Sequence, residues 1–130
     1  MSELETGKER RITLRLLAYW EKKRGNRTMP AERDISPHDM GDLWDDCFLL
    51  RTDRLDHYVY LGKAISHPDA LRLAPSCAKV AASGKPLVEE GEFHDPKHGL
   101  IKYRQCLVPL GENGEITAVF GGIRFKIFPA

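Results

Sequence analysis

The sequence lacks any long apolar run, any excess of charge of one sign and any close pair of cysteines, and each lack removes a class of protein. Its apolar stretches are only a few residues long, whereas a membrane-spanning helix needs about 20, so no membrane partner is expected. The amino-terminal MSELETGKERR leads into a charged helix, where a secretory leader carries an apolar region of about 7–15 residues. A cytoplasmic location is therefore expected. Twenty Lys plus Arg stand against 19 Asp plus Glu, a net charge of +1. Such a balance gathers neither phosphate backbones nor anionic lipid, so nucleic acid is not an expected partner. Cys47, Cys77 and Cys106 are odd in number, widely spaced and set in apolar segments, which excludes a disulfide framework or a CxxC metal site and predicts buried free thiols.

What the chain does have is enough length, 130 residues, for one core that buries roughly two-thirds of the unfolded surface. Over residues 8–24, Ile12, Leu16, Tyr19 and Trp20 recur at helical spacing with Arg10, Arg11, Glu21, Lys22 and Lys23 largely elsewhere, predicting an amphipathic helix. Lys22, Lys23 and Arg24 suit its negative end, and Gly25 suits its left-handed stop. Residues 25–42 read as an extended connector around Pro30 and Pro37, with a short turn at Ser36, Pro37, His38 and Asp39. A division into an N-terminal helix, residues 1–28, and a core domain, residues 29–130, follows.

From Cys47 the period shortens. Residues 47–51 and 57–61 predict a β-hairpin, and residues 76–83 predict a helix closed by Gly84 and Pro86. A further short helix is expected between Gly62 and Pro75. Residues 87–94, 100–110 and 115–128 predict three more strands, the last two joined through Asn113 and Gly114. In the final strand Ile116, Ala118 and Phe120 share one parity and Ile123, Phe125 and Ile127 the other. A bulge at Gly121-Gly122 is expected to turn both sets toward one core. Lacking long β-α alternation, the chain is an α+β domain with an antiparallel sheet.

Leu17, Ala18, Tyr19 and Trp20, the run Met29 to Ile35 with Pro37 and Asp39, the Tyr60, Leu61, Gly62 triplet, and Leu107, Val108, Pro109 and Leu110 with Gly114 together resemble a family of small PAS-domain proteins common in alphaproteobacteria. The resemblance implies a PAS fold: a five-stranded antiparallel sheet, crossover helices on one face and an N-terminal amphipathic cap helix, usually in a protein that stands alone. The chain departs from the family in a shortened stretch between Gly62 and the helix at Ser76, which shifts weight from a ligand toward protein contact.

The aromatic residues supply the candidate ligand pocket. Phe48, Tyr58, Tyr60, Tyr103 and Phe120, with Cys106, offer an apolar lining with hydroxyl handles; an ordinary packed core would use the same residues. The helical stripe of Ile12, Leu16, Tyr19 and Trp20 either folds onto its own sheet or pairs with a second subunit as a homodimer. His94 and His98 have His-x3-His spacing, yet Pro96 and Gly99 make a solvated hairpin loop the simpler account. His67 is the nearest counterpart of a haem-ligating histidine, and Cys77 lacks the sequence context of a flavin-reactive thiol. No catalytic residue, metal or named cofactor is assigned. The expected function is a sensory or adaptor domain of bacterial signal transduction that binds a signalling protein and a small ligand. The alternatives are a pure interaction module with a filled core, or an isomerase- or dehydratase-like enzyme requiring His57 or His94 buried beside a carboxylate.

Overall fold

The computed structural model describes residues 3–54, 58–61 and 74–128. Helix α1 spans Glu3–Arg24, and Gly25 ends it at φ +56°, a left-handed conformation open to glycine at little cost. The connector contains a 3-10 turn at Glu32–Asp34 and the short helix α2, Pro37–Met40, followed by a second 3-10 turn, Gly41–Asp46. Strands β1 (Cys47–Arg51) and β2 (Tyr58–Leu61) precede helix α3 (Ala74–Ser83). Strands β3 (Leu87–Asp95), β4 (Gly99–Glu112) and β5 (Glu115–Phe128) complete the chain. The short helix expected between Gly62 and Pro75 falls outside the described residues.

The strands form one antiparallel sheet in the order β2-β1-β5-β4-β3. Asn113 and Gly114 both take positive φ, +54° and +80°, as a two-residue hairpin between β4 and β5 demands. The register through Gly121 and Gly122 is continuous on both sides, with Cys106 and Leu107 of β4 opposite them on one flank and Cys47 and Phe48 of β1 on the other. The bulge expected there is absent. The irregularity in β4 lies instead at Leu110/Gly111. The change of apolar parity along β5 has another cause, which is that the sheet is covered on both faces.

One face packs under α1 and the connector. Ile12, Leu16, Trp20, Met29, Met40 and Leu43 meet Cys47, Leu49, Cys106, Val108, Leu110, Ala118 and Phe120. The opposite face packs under α3, where Cys77 and Val80 meet Phe48, Leu50, Leu107, Val119 and Ile123. A strand alternates its side chains between faces, so β5 serves both cores: Ala118 and Phe120 toward α1, Val119 and Ile123 toward α3.

Long-range hydrogen bonds tie helix and connector to the sheet and to each other. β3 ends opposite Leu107, so at Pro109 the outer edge of β4 has no neighbouring strand. A proline's missing N–H is harmless there, and its carbonyl accepts from Trp20 Nε1 at 2.8 Å. Gly111 N–H donates to the Pro30 carbonyl at 2.9 Å. The Tyr19 hydroxyl accepts from the Ser36 N–H at 3.0 Å and donates to Asp39 Oδ2 at 3.0 Å; Lys23 Nζ reaches the same carboxylate at 3.1 Å. Burial, with Asp39 adding to it, pushes the Tyr19 phenol up to about 12, so the hydroxyl stays a donor at neutral pH. Tyr19→Phe is expected to lower stability by about 1–2 kcal/mol, since it removes the acceptor of one backbone N–H. Hydrogen exchange should show the loss first at Ser36, and an unchanged Ser36 amide would contradict it.

Candidate ligand site on the sheet face under α3

The six residues expected to line one pocket do not share a face. Directly paired residues on neighbouring strands point the same way. Phe48, opposite Gly121, lies on the α3 face with Tyr103, whereas Phe120, opposite Leu49 and Val108, lies on the α1 face with Cys106, opposite Gly122. The side chains of Tyr58 and Tyr60 are outside the described residues. Sequence parity did not separate Phe48 from Phe120, because they sit on different strands and only the register relates them.

The helical stripe is placed just as firmly. Ile12, Leu16 and Trp20 are 1%, 0% and 5% exposed and belong to the core beneath α1, while Tyr19 is half-buried at its edge. Three of these four side chains are thus spent on their own sheet. A partner that used them would first have to lift α1 away.

The three thiols are buried and free. Burial pushes each up to about 12, Cys47 and Cys77 with smaller contributions from neighbouring carboxylates, so they remain protonated at neutral pH and are poor nucleophiles. His94 lies exposed in β3, and His98 pairs through Nδ1 with the buried Asp95, whose other oxygen accepts from the Lys97 N–H in the β3–β4 turn. His57 is outside the described residues. Among the described residues no group of three His, Cys, Asp or Glu side chains is placed to hold a metal.

The polar feature of this face is one that sequence reasoning passed over. Gln105 on β4 is 0% exposed, and its side chain shares a face with Leu107 and Tyr103 because positions two apart in a strand do. Its Nε2 donates to Glu89 Oε1 at 2.5 Å across the β3–β4 pair. A carboxylate only accepts, which orients the amide and leaves Gln105 Oε1 buried with no hydrogen-bond partner among the described residues. An unmet buried acceptor is costly enough that native structures hold few. Glu89 is half-buried, and its charge adds to burial in raising the Cys77 thiol and the Tyr103 phenol. The signal was present as a polar residue in the alternating row Ile101, Tyr103, Gln105 and Leu107, and as a carboxylate in the row Leu87, Glu89, Gly91 and Phe93.

Beyond this pair the face is aromatic. Phe93 and Tyr103 pack with ring centroids 6.0 Å apart and 48° between planes. Tyr103 lies across Gly91, where a Cβ would stand 2.7 Å from its hydroxyl oxygen. Phe125, opposite Tyr103 on β5, extends the row. All three rings are half-buried. A separate depression of about 650 Å³ opens at the β4–β5 turn, between Arg27, Arg33 and Glu112. Arg27 pairs there with Asp34, and Arg33 with Glu112.

The segments that join α1 and the connector to the first two strands are the ones that match a known family. Residues 8–61 match the family model described as PAS domain. The matched segment is similar to a PAS domain over less than half of the chain. PAS domains are sensory and signalling domains in general, and the matched segment holds Tyr19, Trp20, Pro30 and Asp39, whose contacts fix the helix on the sheet. The chain is also similar to the PAS domain of BvgS from Bordetella pertussis, at 18% identity and a TM-score of 0.42, covering 72% of this chain and 86% of that one. No curated protein matches it. No helix among the described residues is long and apolar enough to cross a membrane.

Proposed function

We propose that this chain is a PAS domain acting as a cytoplasmic sensory or adaptor module of bacterial signal transduction, which binds a small ligand on the α3 face of its sheet and passes the signal by contact with a partner protein. The Gln105 Oε1, buried and without a partner among the described residues, carries the ligand half of the reading. A packed interior gains nothing from a polar atom left without a partner, but a receptor uses such an atom to orient a guest. No catalytic step is proposed. The partner contact is assigned to surfaces outside the buried stripe, and a homodimer is proposed only in a form that leaves Ile12, Leu16 and Trp20 on their own sheet.

A second reading, an interaction module without a ligand, is favoured by the packing under α3. Phe48, Leu50, Leu107, Val119 and Ile123 are each at most 1% exposed, so that end of the face is already filled. Mass spectrometry of small molecules released on denaturing the purified protein separates the two. A molecule recovered in near-stoichiometric amount supports the sensor. A protein consistently empty, with no thermal-shift response across a metabolite panel, would leave the interaction module.

A further inference from the structure

We propose that the α3 face of the sheet recognises a protonated amine or amidinium carried on an apolar body, with Gln105 and Glu89 accepting its N–H groups and Phe93, Tyr103 and Phe125 supporting the body. The proposal rests on the reading of this face as a ligand site and adds the chemistry of the guest.

Three observations converge on that class. Gln105 spends its donor on Glu89 and keeps its carbonyl oxygen, so the group left for a guest is an acceptor. The neighbouring Glu89 is also acceptor-only when ionised, and no cation among the described residues pairs with it. The next side chains along the same face, Tyr103, Phe93 and Phe125, are aromatic, and ring faces attract a cation as well as apolar carbon. An anionic guest would place its charge beside Glu89 in a partly desolvated site, where like charges repel far more strongly than in water. A purely apolar guest would leave the Gln105 oxygen as unmet as before. A donor-bearing cation with an apolar body satisfies the acceptor, the charge and the rings together.

The test is calorimetric titration of the full chain at pH 7 with phenethylamine and benzamidine, and with 3-phenylpropanoate as an anion of similar shape. Both cations are expected to bind at least ten-fold more tightly than the anion. Glu89→Gln should weaken the cations at least ten-fold and leave the anion unchanged or improved. Gln105→Met should weaken the cations while the melting temperature holds or rises, because the substitution removes a buried acceptor that nothing satisfies; that pairing separates lost binding from lost folding. Cation binding insensitive to Glu89→Gln overturns the proposal. If 3-phenylpropanoate binds as tightly as the cations and Gln105→Met abolishes it, the class is wrong while the sensory reading stands. If none of the three binds and the purified chain releases no small molecule, both fall.

Discussion

Replacing Trp20 with alanine is expected to lower the unfolding free energy by about 3–5 kcal/mol, the range for deleting a buried large aromatic, and to shift the melting temperature by roughly 10 °C or more. Two losses combine. The indole is only 5% exposed among Ile12, Leu16, Met29 and the α1 face of the sheet, so its removal leaves a cavity. The Pro109 carbonyl also loses the N–H that reaches it at 2.8 Å. Trp20→Phe separates the terms, since most of the ring volume stays while the hydrogen bond goes, and it should cost about 1–2 kcal/mol. Chemical denaturation measures both. A Trp20→Ala protein within 1 kcal/mol of the parent would show that α1 docks without supporting the core, and would reopen the helix to a partner.

Gly121→Ala is expected to destabilise by about 1–3 kcal/mol, although alanine is the better strand residue, because the site has no room for a methyl group. A Cβ there would stand 2.4 Å from Phe48 Cζ and 2.7 Å from Leu107 Cδ2. Phe48 faces Gly121 directly across the β1–β5 pair and is 1% exposed, so its ring crosses the glycine and cannot swing away. Gly121→Val should cost more. At Gly122 the nearest atom is Leu16 Cδ2 at 3.2 Å, the end of a flexible side chain, and alanine should be milder there. Phe48→Leu combined with Gly121→Ala should recover part of the loss, a coupling that a double-mutant cycle reads directly. Additive costs would mean that the two residues do not compete for the same space.

The residues that resemble a known family are those that hold the fold together, and the polar pair on the α3 face is not among them. Leu17 to Trp20, Met29 to Ile35 and Leu107 to Leu110 carry the resemblance, and the structure brings them to one corner: Trp20 on Pro109, Pro30 on Gly111, Tyr19 on Ser36 and Asp39. They fasten helix and connector to the sheet, so they report the fold. Gln105 and Glu89 belong to none of them. Each is an ordinary polar residue by local pattern, and only the β3–β4 register that sets Glu89 opposite Gln105 turns the two into one hydrogen-bonded pair whose buried acceptor has no partner among the described residues.

The sequence by itself determined the kind and order of the elements, because helical spacing, strand parity, Gly25 at a helix end and Asn113-Gly114 at a hairpin are local matters of backbone sterics. It also determined that the thiols are interior, since each lies in an apolar segment. It did not determine which side of the sheet each residue faces. Parity sorts a strand's side chains into two sets but does not say what covers either, and the alternation along β5 fits a bulge over one core as well as the two cores it marks. That choice was made by α1 and α3 settling on opposite faces. It buried Ile12, Leu16 and Trp20, parted Phe48 from Phe120, and placed Gln105 where its oxygen meets no partner among the described residues.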